Sequence, residues 1–360
     1  MNNQSTLTAV KSPTLLKRLH AASGDTQYGL LSGQIGSAIL YYLLSKHTSD
    51  ETLKEEGLAL LDEISENITS IQKLGFGDGL AGIGWGVEWL VQNELLADTN
   101  TDDVLEDVDN TLYKAVIYTR EKDTSLMTGM LGSIAYFLRR ELSRNPGTHR
   151  FRRICHQECI VILTDCLYET LSGENGLLKD TPEPATENNF IINLGQVLTL
   201  MSSIIDINRP TVKAILRGSV KYAGEVLTGV LSLEASARPL NEHLNFLYLA
   251  ICMLIAGKKR QDSLLQSQAI EYIGQLYTAL PGDALSGQQL QLKKLSVLML
   301  LYVHLPKNEY KEEMETLIRS LSAEDLPFLL YNGSGTLMLA EICLNDPLLI
   351  EDWHELIFLK

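Results

Sequence analysis

The chain is short of cations, cysteines, long apolar runs and strand-like alternation, and each shortage removes a class of protein. Lys and Arg number 30 against 45 Asp and Glu, a formal net charge of -15. A nucleic-acid binder needs clustered Lys and Arg on its phosphate-facing surface, and an anionic membrane attracts the same residues. Both partners are therefore excluded. The five cysteines, Cys155, Cys159, Cys166, Cys252 and Cys343, are an odd number in a long chain and fit reduced thiols better than a disulfide framework. Residues 1–22 carry no continuous apolar stretch of the secretory kind, so the expected location is cytoplasmic. The longest apolar run, Phe246 to Ala256, falls well short of the roughly 18 residues of a membrane span. Alternation of β-branched residues is nearly absent, so no sheet is predicted. No phosphate-binding loop, G-x-S-x-G elbow or H-E-x-x-H helix occurs.

What is present is a core-forming share of apolar residues, 45%, and 26 glycines whose spacing carries information. Three segments repeat one pattern, in which a short hydrophobic stretch is followed by Gly, two residues, Gly and an apolar run. They centre on Gly33 and Gly36, Gly79 and Gly82, and Gly129 and Gly132. A fourth, around Gly333 and Gly335, brings its second glycine one residue closer. Weaker copies are placed at Asn193 to Gly195, His243 to Asn245 and Gly287. Successive anchors then lie about 50 residues apart, the period of a repeat architecture. Residues 181–187, TPEPATE, lengthen one step and read as an inserted loop.

A second, amphipathic pattern lies between anchors. Thr52 to Lys73 shows it, with Leu53, Leu60, Leu61, Ile64, Ile68 and Ile71 spaced for one helix face. Each unit is thus two helices. Glycines at the starts of the apolar helices favour closure into a ring, because converging helix starts need close backbone approach. The predicted fold is all-α: one domain over residues 1–360, an α,α-toroid of about seven helical hairpins with inner and outer rings.

These residues resemble the lanthionine synthetase C-like family. Gly79-Leu80-Ala81-Gly82-Ile83-Gly84-Trp85 is close to its repeat motif, and the Gly333 motif followed by Trp353 resembles its C-terminal end. The resemblance runs from about Leu30 to Trp353. It implies an α,α-toroid with a central cavity. It also implies a zinc ion that lowers the pKa of a peptide thiol, which then adds to a dehydrated residue to form a thioether. The family holds that zinc with a Cys in the fifth repeat and a Cys-His-Gly tripeptide in the sixth. Carried onto this chain, those positions are Asn241, Leu285 and Ser286, the last two preceding Gly287. An aliphatic chain, a hydroxyl and an amide are not a soft donor set, and no His stands in 188–196 where the family has one. No cofactor and no metal ligand are therefore expected.

Several residues remain as candidates. His243, beside Asn241 and Glu242, reads as a general base or peptide contact, or more plainly as a polar residue at a helix start. Asp78 reads as a cation ligand or a helix cap. Ser32, Thr128, Ser286 and Asn332 hold the equivalent position and, with Asp78, Asn241 and His243, would line a binding cavity with hydrogen-bonding groups and helix N-termini. Cys155, Cys159 and Cys166 read as a buried stripe rather than a metal patch with His156. The acidic run Asp98 to Asp109 lacks the Gly and Glu of a calcium loop and reads as a solvated helix start. The functional expectation is a zinc-less, non-catalytic homologue in a peptide-modification pathway, binding a precursor peptide or a modifying enzyme. The alternatives are a cavity enzyme, either a cyclase with a changed site or a glycoside hydrolase or lyase using Asp78 and Glu242, and a structural adaptor with a filled cavity.

Overall fold

The computed structural model describes residues 28–97, 99–145, 150–173, 176, 188–232, 238–280, 287–322, 326–327, 329–330 and 333–348. Among these residues every regular element is helical. Seven helices are apolar nearly all round and buried: α1 (Gln34–Thr48), α3 (Leu80–Gln92), α6 (Met130–Glu141), α8 (Asn188–Ser203), α10 (Leu240–Lys259), α12 (Gln288–His304) and α14 (Ser334–Asn345). Between them lie the amphipathic α2 (Glu51–Asn67), α5 (Glu106–Tyr118) preceded by the short α4 (Thr101–Val104), α7 (Arg150–Ser172), α9 (Arg209–Ser232), α11 (Ser263–Thr278) and α13 (Asn308–Ser320). The alternation follows the sequence pattern, since a helix covered on all sides must be apolar all round. In α2, Leu53, Gly57, Leu60 and Ile64 form the buried stripe and Asp50 caps the start through the Thr52 amide. The helix stops at Asn67 and a 3-10 turn follows, so Ile68 and Ile71 are only half-buried. The α10 helix is apolar and long enough to cross a membrane, but 83% of its apolar window is buried inside the protein.

The chain packs as two compact units. One holds the described residues up to Gln72 and those from 287 onward; the other holds the described residues from Lys73 to 280. In the first, α2 packs on α1, α13 on α12, and α14 on α12, α13 and α1. In the second, the buried helices pack in the order α3, α6, α8, α10. They run parallel: the loops before α3 and α6 touch through the Gly77 amide and the Met127 carbonyl, while Gln92 and Arg139 join the far ends.

The glycine motifs have one physical cause. A helix start leaves N–H groups without intrahelical partners. Here the preceding loop folds back as a backbone hook and supplies its own carbonyls. The first amide of α3, Leu80, donates to the Lys73 carbonyl at 3.0 Å; Met130 of α6 donates to Asp123 at 2.8 Å; Ser334 of α14 donates to Pro327 at 3.0 Å. Each partner lies seven residues upstream. The hook passes so close that a Cβ on Gly79, Gly129 or Gly333 would sit 2.5, 2.2 or 2.3 Å from the carbonyl oxygen six residues back. The second glycines meet the same limit: Gly36 at 2.2 Å from Leu30, Gly132 at 2.1 Å from Leu126, and the displaced Gly335 at 2.5 Å from Leu329.

Two expectations change. The helix caps are the glycines themselves and make no side-chain cap bond. Ser32, Asp78 and Thr128 stand one residue earlier, where the hook has already met the first amides. The middle anchors lie inside helices, because α8 and α10 begin at Asn188 and Leu240. Gly195 is there for packing: a Cβ on it would meet the Tyr248 ring at 2.8 Å and the Cys252 sulfur at 2.9 Å. Gly287 has φ +96°, a conformation open to glycine and strained for other residues. The inserted loop at 181–187 lies outside the described residues.

Gly132→Ala should cost about 3 kcal/mol, since backbone on one side and Phe76 Cβ at 2.6 Å on the other leave no room. Gly229→Ala, in open space on α9, should stabilise by up to about 1 kcal/mol. Urea unfolding of the two variants checks both the sign and the contrast.

Candidate functional site

In the second unit the parallel helices bring their starts to one end, and this rim holds most of the sequence candidates. It is built from the hooks before α3 and α6 and from the first turn of α10. Asp78 is exposed on the first hook. Thr128 is exposed on the second, and its hydroxyl is committed: it donates to Asp123 Oδ2 at 2.5 Å. Asp123 also accepts from the Ser125 amide and hydroxyl. Burial alone would raise the Asp123 pKa, but these bonds outweigh it and the carboxyl is held below its ordinary value. Asp123 is the organiser of this loop and was not singled out from the sequence. An Asp-x-Ser-x-x-Thr spacing was its only signal. Asn193 Nδ2 reaches Thr124 Oγ1 at 2.9 Å and ties α8 to the same loop.

Asn241 and Glu242 are half-buried in the first turn of α10. His243, next along, is fully buried. Its Nε2–H donates to the Leu276 carbonyl at 2.7 Å, joining α10 to the end of α11. Burial lowers its pKa, an effect the Leu276 bond only partly opposes. Ser32 is half-buried before Gly33 in the other unit. Ser286, Asn332 and Leu285 lie outside the described residues.

A pocket of about 90 Å³ opens beside the second hook, between α5, α6 and α7. Leu74, Val116, Met130 and Leu163 give it an apolar wall, and Thr128 and Ser133 line its polar side. It suits a small apolar group, roughly a side chain in size.

The rim does not fit the zinc that the resemblance implies. Asn241 offers an amide where a thiolate would be needed. Cys252 stands 11 positions further along α10, about 16 Å away along the helix. It is fully buried, and burial raises its thiol to about 12 despite a hydrogen bond with Tyr248. Among the described residues no three His, Cys, Asp or Glu side chains are grouped to hold a metal ion. Cys159 is likewise buried with a raised pKa, and His156 turns to Asp109 rather than to the cysteines. Nor do Asp78 and Glu242 come from neighbouring helices, since α6 and α8 separate α3 from α10 in the packing order.

The opposite end of this unit holds a charged hub that sequence patterning missed. Arg140, at the end of α6, is fully buried. Its guanidinium meets Glu88 at 2.5 Å, Asp102 at 3.1 Å and Asp109 at 2.8 Å, and donates to Thr101 Oγ1 at 2.9 Å. Tyr136 donates to Asp109 at 2.5 Å, and His156 lies 3.4 Å from it. The acidic run is therefore solvated only in part: Asp103, Glu106 and Asp107 are exposed, while Asn100 caps α4 through the Asp102 amide and Asp102 and Asp109 turn inward to Arg140. Asp98 lies outside the described residues. Gly84 allows this arrangement, because a Cβ there would strike the Tyr136 ring at 2.5 Å.

Burial pushes the Asp109 carboxyl up, but hydrogen bonds from His156 and Arg140 and the charge of Arg140 prevail and hold it well below the usual carboxylate range. Its stabilising contribution is thus complete above about pH 5 and is lost as pH falls below about 4, where the unfolded carboxyl takes up its proton first. Asp109→Ala should cost about 3 kcal/mol at pH 7 by leaving Arg140 under-paired. Its urea midpoint should also vary less between pH 6 and pH 3 than that of the parent; equal variation would remove Asp109 from this role.

No protein-family model matches the chain, and no curated protein does. Five solved chains match, among them a nisin cyclase. That likeness covers 96% of this chain and 95% of the cyclase, with a TM-score of 0.64 and 10% sequence identity. It shows the fold, the all-α α,α-toroid of lanthionine synthetase C-like proteins.

Proposed function

We propose that the chain is a lanthionine synthetase C-like protein that serves the modification of a ribosomally made peptide without zinc and without forming the thioether itself. In this reading it binds the precursor peptide or a modifying enzyme, in the cytoplasm, where its five free thiols stay reduced. The observation that carries the proposal is the contrast between shell and site. A fold shared with a nisin cyclase over nearly the whole chain is combined with Asn241 where the resemblance implies a ligand, and with a buried Cys252 whose thiol burial pushes up to about 12. A substrate thiol with an ordinary pKa of about 8.5 stays mostly protonated at neutral pH unless a metal or a cation lowers it. The rim instead offers bonded hydroxyls, amides and an apolar pocket, which suit binding.

The test uses the purified full chain. After zinc loading and desalting, metal analysis should find substoichiometric zinc. A peptide carrying dehydrobutyrine and Cys should keep its thiol open to alkylation after incubation with the protein. Its affinity, read by fluorescence anisotropy, should be unchanged by a chelator. Stoichiometric zinc, or loss of the alkylatable thiol, would overturn the reading. No observation favours the carbohydrate alternative, since Asp78 and Glu242 do not come from adjacent helices.

A further inference from the structure

The exposed face of α9 is basic in a chain of net charge -15. Arg209, Lys213, Arg217 and Lys221 follow one another at intervals of four, and all four are exposed. Residues four apart form a continuous ridge on a helix surface. At 1.5 Å per residue this ridge is about 18 Å long. Val212, Ile215, Leu216 and Ala223 bury the opposite face and fix which way the cations point. The helix carries one acid, Glu225, at the next step of the ridge, 3.9 Å from Lys221. Among the described residues that is the ion pair on the ridge; Asp165, on the neighbouring α7, is engaged by Asn208 and Thr211.

Of the other amphipathic helices, α2 has six acids and one Lys, α5 three acids and one Lys, α13 four acids and two cations, and α11 one acid and no cation. The neighbouring α7 is balanced, with three acids and three Arg, of which Arg152 and Arg153 are paired with Glu106 and Glu141. A ridge of four cations in a chain of net charge -15 is therefore a local inversion. Screening confines its influence to about 8 Å at physiological salt, so it can act on a ligand that stays on the ridge. A duplex or a vesicle is wider and would also meet the flanking α7 and α11, which carry four acids between them and on which no cation beyond the three Arg at the start of α7 stands. A single acidic strand or helix can lie along the ridge alone. Carboxylates on every fourth residue of a partner helix would meet the four cations in register.

We propose that the α9 ridge is a docking surface for an acidic polypeptide segment. The inference stands on this surface and does not depend on the peptide-modification reading. Complementary charges of this kind set register and association rate more than raw affinity, so the binding should weaken as salt rises.

The probe is a fluorescein-labelled peptide of Ala and Gln with Glu at every fourth residue, titrated with the full chain at low and physiological salt. A Lys counterpart, a short RNA and phosphatidylserine vesicles form the parallel arms. The Glu peptide should bind, the Lys peptide should not, and Lys213→Glu with Arg217→Glu should weaken binding by about tenfold or more. Lys213→Gln with Arg217→Gln, which leaves no reversed charge, should give a smaller loss with an unchanged circular-dichroism melt. Lys54→Glu on α2 should have no effect. Equal binding by the ridge variants and the parent would overturn the proposal. So would tighter ridge-dependent binding of the RNA or the vesicles.

Discussion

The structure depends on a backbone hydrogen bond that closes the start of its buried helices. A helix start in an apolar setting cannot rely on water for its free amides, and leaving them unmet is costly. Side-chain caps are one remedy. This chain uses another: the loop returns across the helix start and gives its own carbonyls to Leu80, Met130 and Ser334. The cost is steric, and glycine meets it, because no Cβ fits beneath the returning carbonyl. The repeat visible in the sequence is therefore the trace of a packing constraint on the main chain. It also settles what these helix ends have to offer. Their first amides are already used and do not present a ready-made anion site.

At the other end of the larger unit the constraint is electrostatic. Glu88, Asp102, Asp109 and Arg140 come from four different helices and meet where solvent is excluded. Buried charges of this kind are tolerated only when each is paired and hydrogen-bonded. The hub therefore depends on α3, α4, α5 and α6 being placed correctly. Gly84 links this requirement to the backbone, since its missing side chain gives Tyr136 its path to Asp109. Glycine serves here for a close approach within a helix pair, a different use from the hooks.

The sequence made the architecture legible wherever the glycines serve the hooks. The anchors Gly33, Gly79, Gly129 and Gly333 fall one residue before their helices, and Gly287 does so too, held there by its positive φ. The reading slipped in the middle repeats. Gly195 serves helix packing and His243 pins α10 to α11, so neither marks a turn, and residue type alone does not separate these uses. The small polar residues before the glycines looked like caps because Ser, Thr and Asp usually are; the hook takes that role from the backbone. The acidic run looked solvated throughout because Arg140, which draws Asp102 and Asp109 inward, lies 31 positions beyond Asp109 in the chain. A long-range pair of that kind leaves no periodic signal. The expectation of no zinc donors is of another kind: it rests on residue identity at Asn241, Leu285 and Ser286 in the register that the resemblance implies.

The described part of the fold is thus held by main-chain hooks at one end of its buried helices and a charged hub at the other. Both devices are built from the loops and helix ends themselves, and neither uses a metal ion. Amide hydrogen exchange on the intact protein tests this most directly. The Leu80, Met130 and Ser334 amides should be protected about a hundredfold or more over the Glu51 amide at the start of α2, where the Asp50 side chain serves the Thr52 amide instead. Exchange of those three amides at the rate of Glu51 would contradict the account, because the helix starts would then be open to solvent and to ligands.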